Sequence, residues 1–157
     1  MYATLLATHS IVRWLVLASL CFALYRAYKG WVSQSTFSEF DNTVRHTTVT
    51  IAHIQLLIGL WLYFISPLIT YFFQNFGEAV HQREIRFFGM EHSSMMFIAI
   101  LIITIGSAKA KRKAADKEKF KTMALWFTAG LLFILLNIPW AFSPLTSRPN
   151  FRAFNLF

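Results

Sequence analysis

Residues 122–142 read TMALWFTAGLLFILLNIPWAF, a run of 21 residues without one ionisable side chain. A hydrocarbon core takes about 20 helical residues at 1.5 Å rise each, so this run is long enough to cross a bilayer. Backbone polar groups find no partners in lipid, and a lone strand would leave them bare, so the run is expected as a helix. Three more stretches have the same character. Residues 4–25, TLLATHSIVRWLVLASLCFALY, are broken only by His9, Ser10 and Arg13. Residues 44–66, VRHTTVTIAHIQLLIGLWLYFIS, start polar and stop at Pro67, whose ring removes a donor and clashes with the preceding turn. Residues 87–108, FFGMEHSSMMFIAILIITIGSA, carry Glu91 and His92 near their start. The expected fold is all-α, an integral membrane four-helix bundle of up-down-up-down topology forming a single domain over residues 1–157.

Composition agrees. With 56% hydrophobic and 14% charged residues and a mean hydropathy of +0.49, the chain falls well short of the roughly one-quarter charged residues of a soluble domain. The net charge of +8 raises the question of nucleic acid. The basic residues lie between the apolar runs, however, which reads as membrane topology and gives no nucleic-acid partner. Lys109, Lys111, Arg112, Lys113, Lys117, Lys119 and Lys121 fill the third connection, and Arg26, Lys29 and Arg45 flank the first. The other side has Arg83, Arg86, Arg148 and Arg152. This bias places both termini outside and the basic loops in the cytoplasm, as in a multi-pass protein of a bacterial inner membrane. The first segment lacks a basic leader and holds Arg13 in its apolar part, so it is expected as a mature helix and not as a cleaved signal. Cys21 is the single cysteine, which excludes an internal disulfide, a Cys-based metal motif and a covalently attached c-type haem.

The connections add local expectations. Gly30 reads as a break, and Ser38, Asp41, Asn42 and Thr43 offer N-caps for the second helix. Residues 68–76, LITYFFQNF, are too short to span and are expected at the outer interface or as an extension of the second helix. The tail 143–157 is expected outside, with its phenylalanines folding back onto the bundle.

Chemistry concentrates in the polar residues at membrane depth, namely His9, Arg13, His53, Glu91 and His92. Neutral imidazole tolerates burial and binds iron, copper and zinc well. Counted from the external ends at about 1.5 Å per residue, His9 lies about 9 Å deep and His92 about 7.5 Å deep. His53 lies about 20 Å deep. In an up-down-up-down bundle the first and third helices are diagonal, so His9 and His92 share a level across the core. That arrangement suits the two axial ligands of a b-type haem. Arg13, one turn from His9, needs an anion, which a haem propionate or Glu91 would supply; the alternative is a guanidinium that reaches external water. His53, together with Gln55, marks an interhelical hydrogen bond, a quinone or proton site, or a second metal ligand. His92, Ala99 and Gly106 form a stripe that admits either a flat macrocycle or a neighbouring helix. Met90, Met95 and Met96 are expected as core filling.

HSIVRW (9–14), VRHTTVTIAHIQLLIGLWLYFISP (44–67), REIRFFGMEHSSMM (83–96) and ITIGSAKAKRK (103–113) together resemble small bacterial four-helix membrane proteins labelled cytochrome b. The resemblance implies haem b as cofactor and electron exchange with quinone or a redox partner protein, in a quinone-linked oxidoreductase. Many b-type cytochromes draw ligands from the fourth helix, which here has no histidine. The ligand role therefore carries over to His9, His92 and His53 only. Two other classes remain open at this point: a non-catalytic anchor subunit of a homodimer or larger membrane complex, and a copper or zinc site built from His9, His53, Glu91 and His92.

Overall fold

The computed structural model describes residues 1–143, 146 and 148–150. Four long helices dominate: α1 (Tyr2–Ser33), α2 (Glu39–Ile65), α6 (His92–Arg112) and α7 (Asp116–Asn137). Three short ones, α3 (Pro67–Gln74), α4 (Phe76–Ala79) and α5 (Arg83–Arg86), connect α2 to α6, and a π-helical turn over Phe87–Glu91 joins α5 to α6. The described residues hold no strand, and the four long helices, counting 83–112 as one, are long and apolar enough to cross a membrane. This is an all-α four-helix bundle and a multi-pass membrane protein.

Contacts between neighbours step in opposite directions along each pair. Ser19 accepts from Thr48, while His9, ten residues earlier in α1, accepts from Gln55 further along α2. Arg45 meets Ser107, His53 meets Thr104 and Tyr63 meets Gly89, so α2 and α6 are antiparallel. On α6 and α7, Gly106 faces Trp126, Gly130 faces Ile103 and His92 faces Asn137. The helices form a ring in the order α1, α2, α6, α7, with α1 and α6 diagonal. His9 and His92 thus start at the same end of the bundle.

Local chemistry explains both ends of α2. Ser38 caps α2, its hydroxyl accepting from the Asp41 backbone N–H while the Asp41 carboxylate accepts from the Ser38 backbone N–H. The same carboxylate, 1% exposed, also accepts from Arg26 of α1 at 2.7 Å. Arg45, nearly as buried, ties α2 to the Ser107 hydroxyl and carbonyl of α6. These bonds clamp the basic end of the bundle. At Pro67 the chain does stop, and the proline then opens α3, where a missing N–H costs nothing.

Several expectations change. Gly30 is no break: α1 runs to Ser33 and ends at Gln34 in the left-handed region (φ 51°). A Cβ on Gly30 would stand 2.4 Å from the Phe120 ring, so the glycine lets α1 and α7 approach. The fourth helix ends at Asn137, not near 142, since Pro139 follows. Residues 68–74 belong to the separate helix α3, with Ile69 and Phe72 buried, and Phe76 opens α4, so this stretch does not continue α2. Ala99 and Gly106 pack against α7, which decides their stripe in favour of helix packing. Met90 and Met95 face outward, and only Met96 packs inward. The tail phenylalanines lie outside the described residues.

Candidate functional site

At the end of the bundle opposite the clamp, a cavity of about 490 Å³ lies between the helices, lined by His9, Arg13, Gln55, Gly59, His92 and Arg148 among mainly apolar side chains. Three of the five polar candidates, His9, Arg13 and His92, are therefore brought together, and Glu91 is not among the lining residues. Nor is His53. Its Nε2 lies 3.0 Å from Thr104 Oγ1, and that hydroxyl donates to the Ile100 carbonyl. Thr104 must then accept, so His53 carries its proton on Nε2 and spends it on an interhelical hydrogen bond.

His92 is held from two directions. Just before it, the π-helical turn inserts a wider register, with the His92 N–H bonding the Phe87 carbonyl five residues back. Gly89 allows this turn to press on Phe72, whose ring atoms would stand 2.5 Å from a Cβ there, and Tyr63 donates to the Gly89 carbonyl at 2.7 Å. The imidazole Nδ1 lies 2.8 Å from the Asn137 carbonyl, one of the last of α7 and without an intrahelical partner. A carbonyl only accepts, so Nδ1 carries the proton and Nε2 keeps its lone pair. A backbone carbonyl fixing the tautomer of a ligating histidine is a recurrent second-sphere arrangement.

His9 faces the same cavity against Gly59, with its Cε1 at 3.2 Å from where a Cβ would stand. Gln55 donates from Nε2 to the His9 carbonyl at 2.9 Å. His9 Nδ1 and Gln55 Oε1 are both buried without a hydrogen-bond partner. Two such atoms on one cavity wall mark a place where a ligand or water is expected to complete the bonding. Gly59→Val should force the His9 ring aside and lower ligand occupancy at the site by about tenfold or more while leaving helix content unchanged; circular dichroism and a binding titration read the two effects separately.

Arg13 does not pair with Glu91, which binds Arg86 at 2.7 Å. Its guanidinium lies over Trp14 and donates to the Asn150 carbonyl, which also accepts from Trp14 Nε1. The guanidinium is thus held at the cavity wall.

The donor set fits a b-type haem: two imidazoles from diagonal helices, a cation for an acid group, apolar walls, and a volume within the roughly 300–1,000 Å³ of small-molecule sites. It does not fit the copper or zinc site drawn on four residues, because among the described residues no three His, Cys, Asp or Glu side chains converge. Gly59, Asn137 and Arg148 were not candidates from the sequence; a glycine within a helix, a backbone carbonyl and a tail arginine carry no local signature of a site. In comparisons with known proteins, no protein-family model, no curated protein and no solved structure matches this chain.

Proposed function

We propose that this protein is a membrane haem b protein that relays single electrons, with quinone as the candidate partner in the lipid phase. The observation that carries the proposal is the convergence of His9 and His92 on one apolar cavity, with the His92 tautomer set by Asn137 so that Nε2 is free to ligate. Bound there, the haem would supply one-electron exchange between ferric and ferrous iron. His9 and His92 would hold the iron from α1 and α6. Arg13 would hold an acid group at the cavity wall. Aliphatic and aromatic residues of α2 and α6 keep water out. Leu60 and Phe97 line the cavity and are also exposed on the outer surface, so the cavity reaches the lipid-facing side between α2 and α6. A lipid-soluble carrier can approach there without entering water. His53 has no part in this site.

Titration of haem-depleted protein in detergent with haemin tests the proposal. A red-shifted Soret band saturating at one haem per chain is expected. A colourless protein that holds neither haem nor metal would favour the anchor subunit instead.

The bias of basic residues supports a bacterial inner-membrane placement with both termini external and the site near the external face. Reporter fusions at residue 115 should then act as cytoplasmic and fusions after Phe157 as external. Cytoplasmic activity from both would require an odd number of spans.

A further inference from the structure

Each of the two cavity histidines has a second ring nitrogen whose partner decides the tautomer. For His92 that partner is the Asn137 carbonyl. For His9 it lies across the α1–α2 contact. Gly59 faces the Cε1–Nδ1 edge of the ring, with Cε1 at 3.2 Å and Nδ1 at 3.7 Å from where a Cβ would stand and Nε2 beyond 4 Å. Nδ1 is therefore turned toward α2 and Nε2 away from it. Gln55 stands one helical turn before Gly59, on the same face of α2. Its amide orientation is fixed, because the His9 carbonyl only accepts and must take its bond from Nε2 of Gln55, at 2.9 Å. Oε1 of Gln55 is left to point elsewhere, and both it and His9 Nδ1 are buried without a hydrogen-bond partner. The first can only accept, and the second donates when it carries the proton. Two buried atoms of complementary kind at one helix contact are a setting for an ordered water, since a buried polar group left unmet is costly.

We propose that Gln55 is the positioning residue for His9: its Oε1 takes the Nδ1 proton of His9 through one buried water, which leaves the Nε2 lone pair for ligation. What Nε2 then binds rests on the haem reading, whereas the tautomer is a property of the chain alone. The two ligands thus have unequal partners, a backbone carbonyl of α7 for His92 and a water-linked amide of α2 for His9. An acceptor on the far nitrogen raises the basicity of a ligating imidazole and so favours ferric iron.

Nitrogen-15 NMR of histidine-labelled, haem-depleted protein in detergent reads both tautomers in one spectrum. Wild type should show His9 and His92 with the proton on Nδ1. Gln55→Met, of similar length but without a strong acceptor, should shift His9 toward the Nε2–H form and leave His92 unchanged, which also shows that the fold is intact. Gln55→Glu loses the amide donor to the His9 carbonyl but keeps an acceptor oxygen, so it should retain the Nδ1–H form; a role confined to that carbonyl bond would make the two variants behave alike. With haemin bound, Gln55→Met should weaken binding by about tenfold or more and raise the midpoint potential. Should Gln55→Met fail to fold, a cross-peak between the Nδ1 proton of wild-type His9 and a bound water takes its place, and its absence overturns the proposal. So does a wild-type His9 in the Nε2–H form, or a Gln55→Met spectrum equal to wild type; haemin binding in either case leaves the haem reading in place. A Gln55-dependent Nδ1–H form in a protein that binds no haemin keeps the positioning role and removes the haem reading.

Discussion

His92→Ala is expected to strip the protein of low-spin haem, with affinity falling by at least about a hundredfold, since loss of an outer-sphere partner alone costs about 10–100-fold. His9→Ala should do the same. Each removes one of two imidazoles that line a single cavity, where Met96, one turn from His92, offers only a weaker thioether. His53→Ala should leave the haem content unchanged, because His53 is engaged with Thr104 away from the cavity lining. Haem content and visible spectra of the three variants check this. A bleached His53→Ala beside a red His9→Ala would move the ligand pair to α2 and α6 and refute the assignment of helices.

The second large effect concerns the α6–α7 contact. A Cβ on Gly106 would lie 2.2 Å from Trp126 Cβ, closer than two such carbons ever stand, so Gly106→Val must push the helices apart. Close approach at small residues is a main source of helix association in a bilayer, where lipid tails are as apolar as the side chains. The expected cost is about 1–3 kcal/mol or more. Gly77→Ala, where a Cβ would meet nothing within 4 Å, should be neutral. Unfolding midpoints in mixed detergent micelles compare the two. A Gly106→Val midpoint equal to wild type would mean that the α6–α7 contact is looser than the structure has it.

The bundle was legible because lipid leaves few choices: four apolar runs of spanning length dictate four helices, and Pro67 and the Ser38–Asp41 box mark two of their ends through purely local chemistry. The shared level of His9 and His92 also followed from counting residues. What escaped was set by contacts between segments distant in sequence. Gly30 reads locally as a helix breaker, but facing Phe120 it is the point of closest approach between α1 and α7. The π-helical turn before His92 depends on Gly89 meeting Phe72 and on Tyr63 taking up a carbonyl. Glu91 was one of two anions considered for Arg13, but Arg86, five residues from that carboxylate, binds it. For His53 the interhelical hydrogen bond was already one reading from the sequence, and only its partner, Thr104 of α6, was not legible there.

The most direct test of the central claim is the low-temperature electron paramagnetic resonance spectrum of the oxidised protein purified from membranes. Two imidazole ligands from His9 and His92 predict a low-spin ferric haem signal that disappears in both alanine variants and persists in His53→Ala. A wild-type protein with only a high-spin haem signal, or with no haem signal at all, would contradict the account.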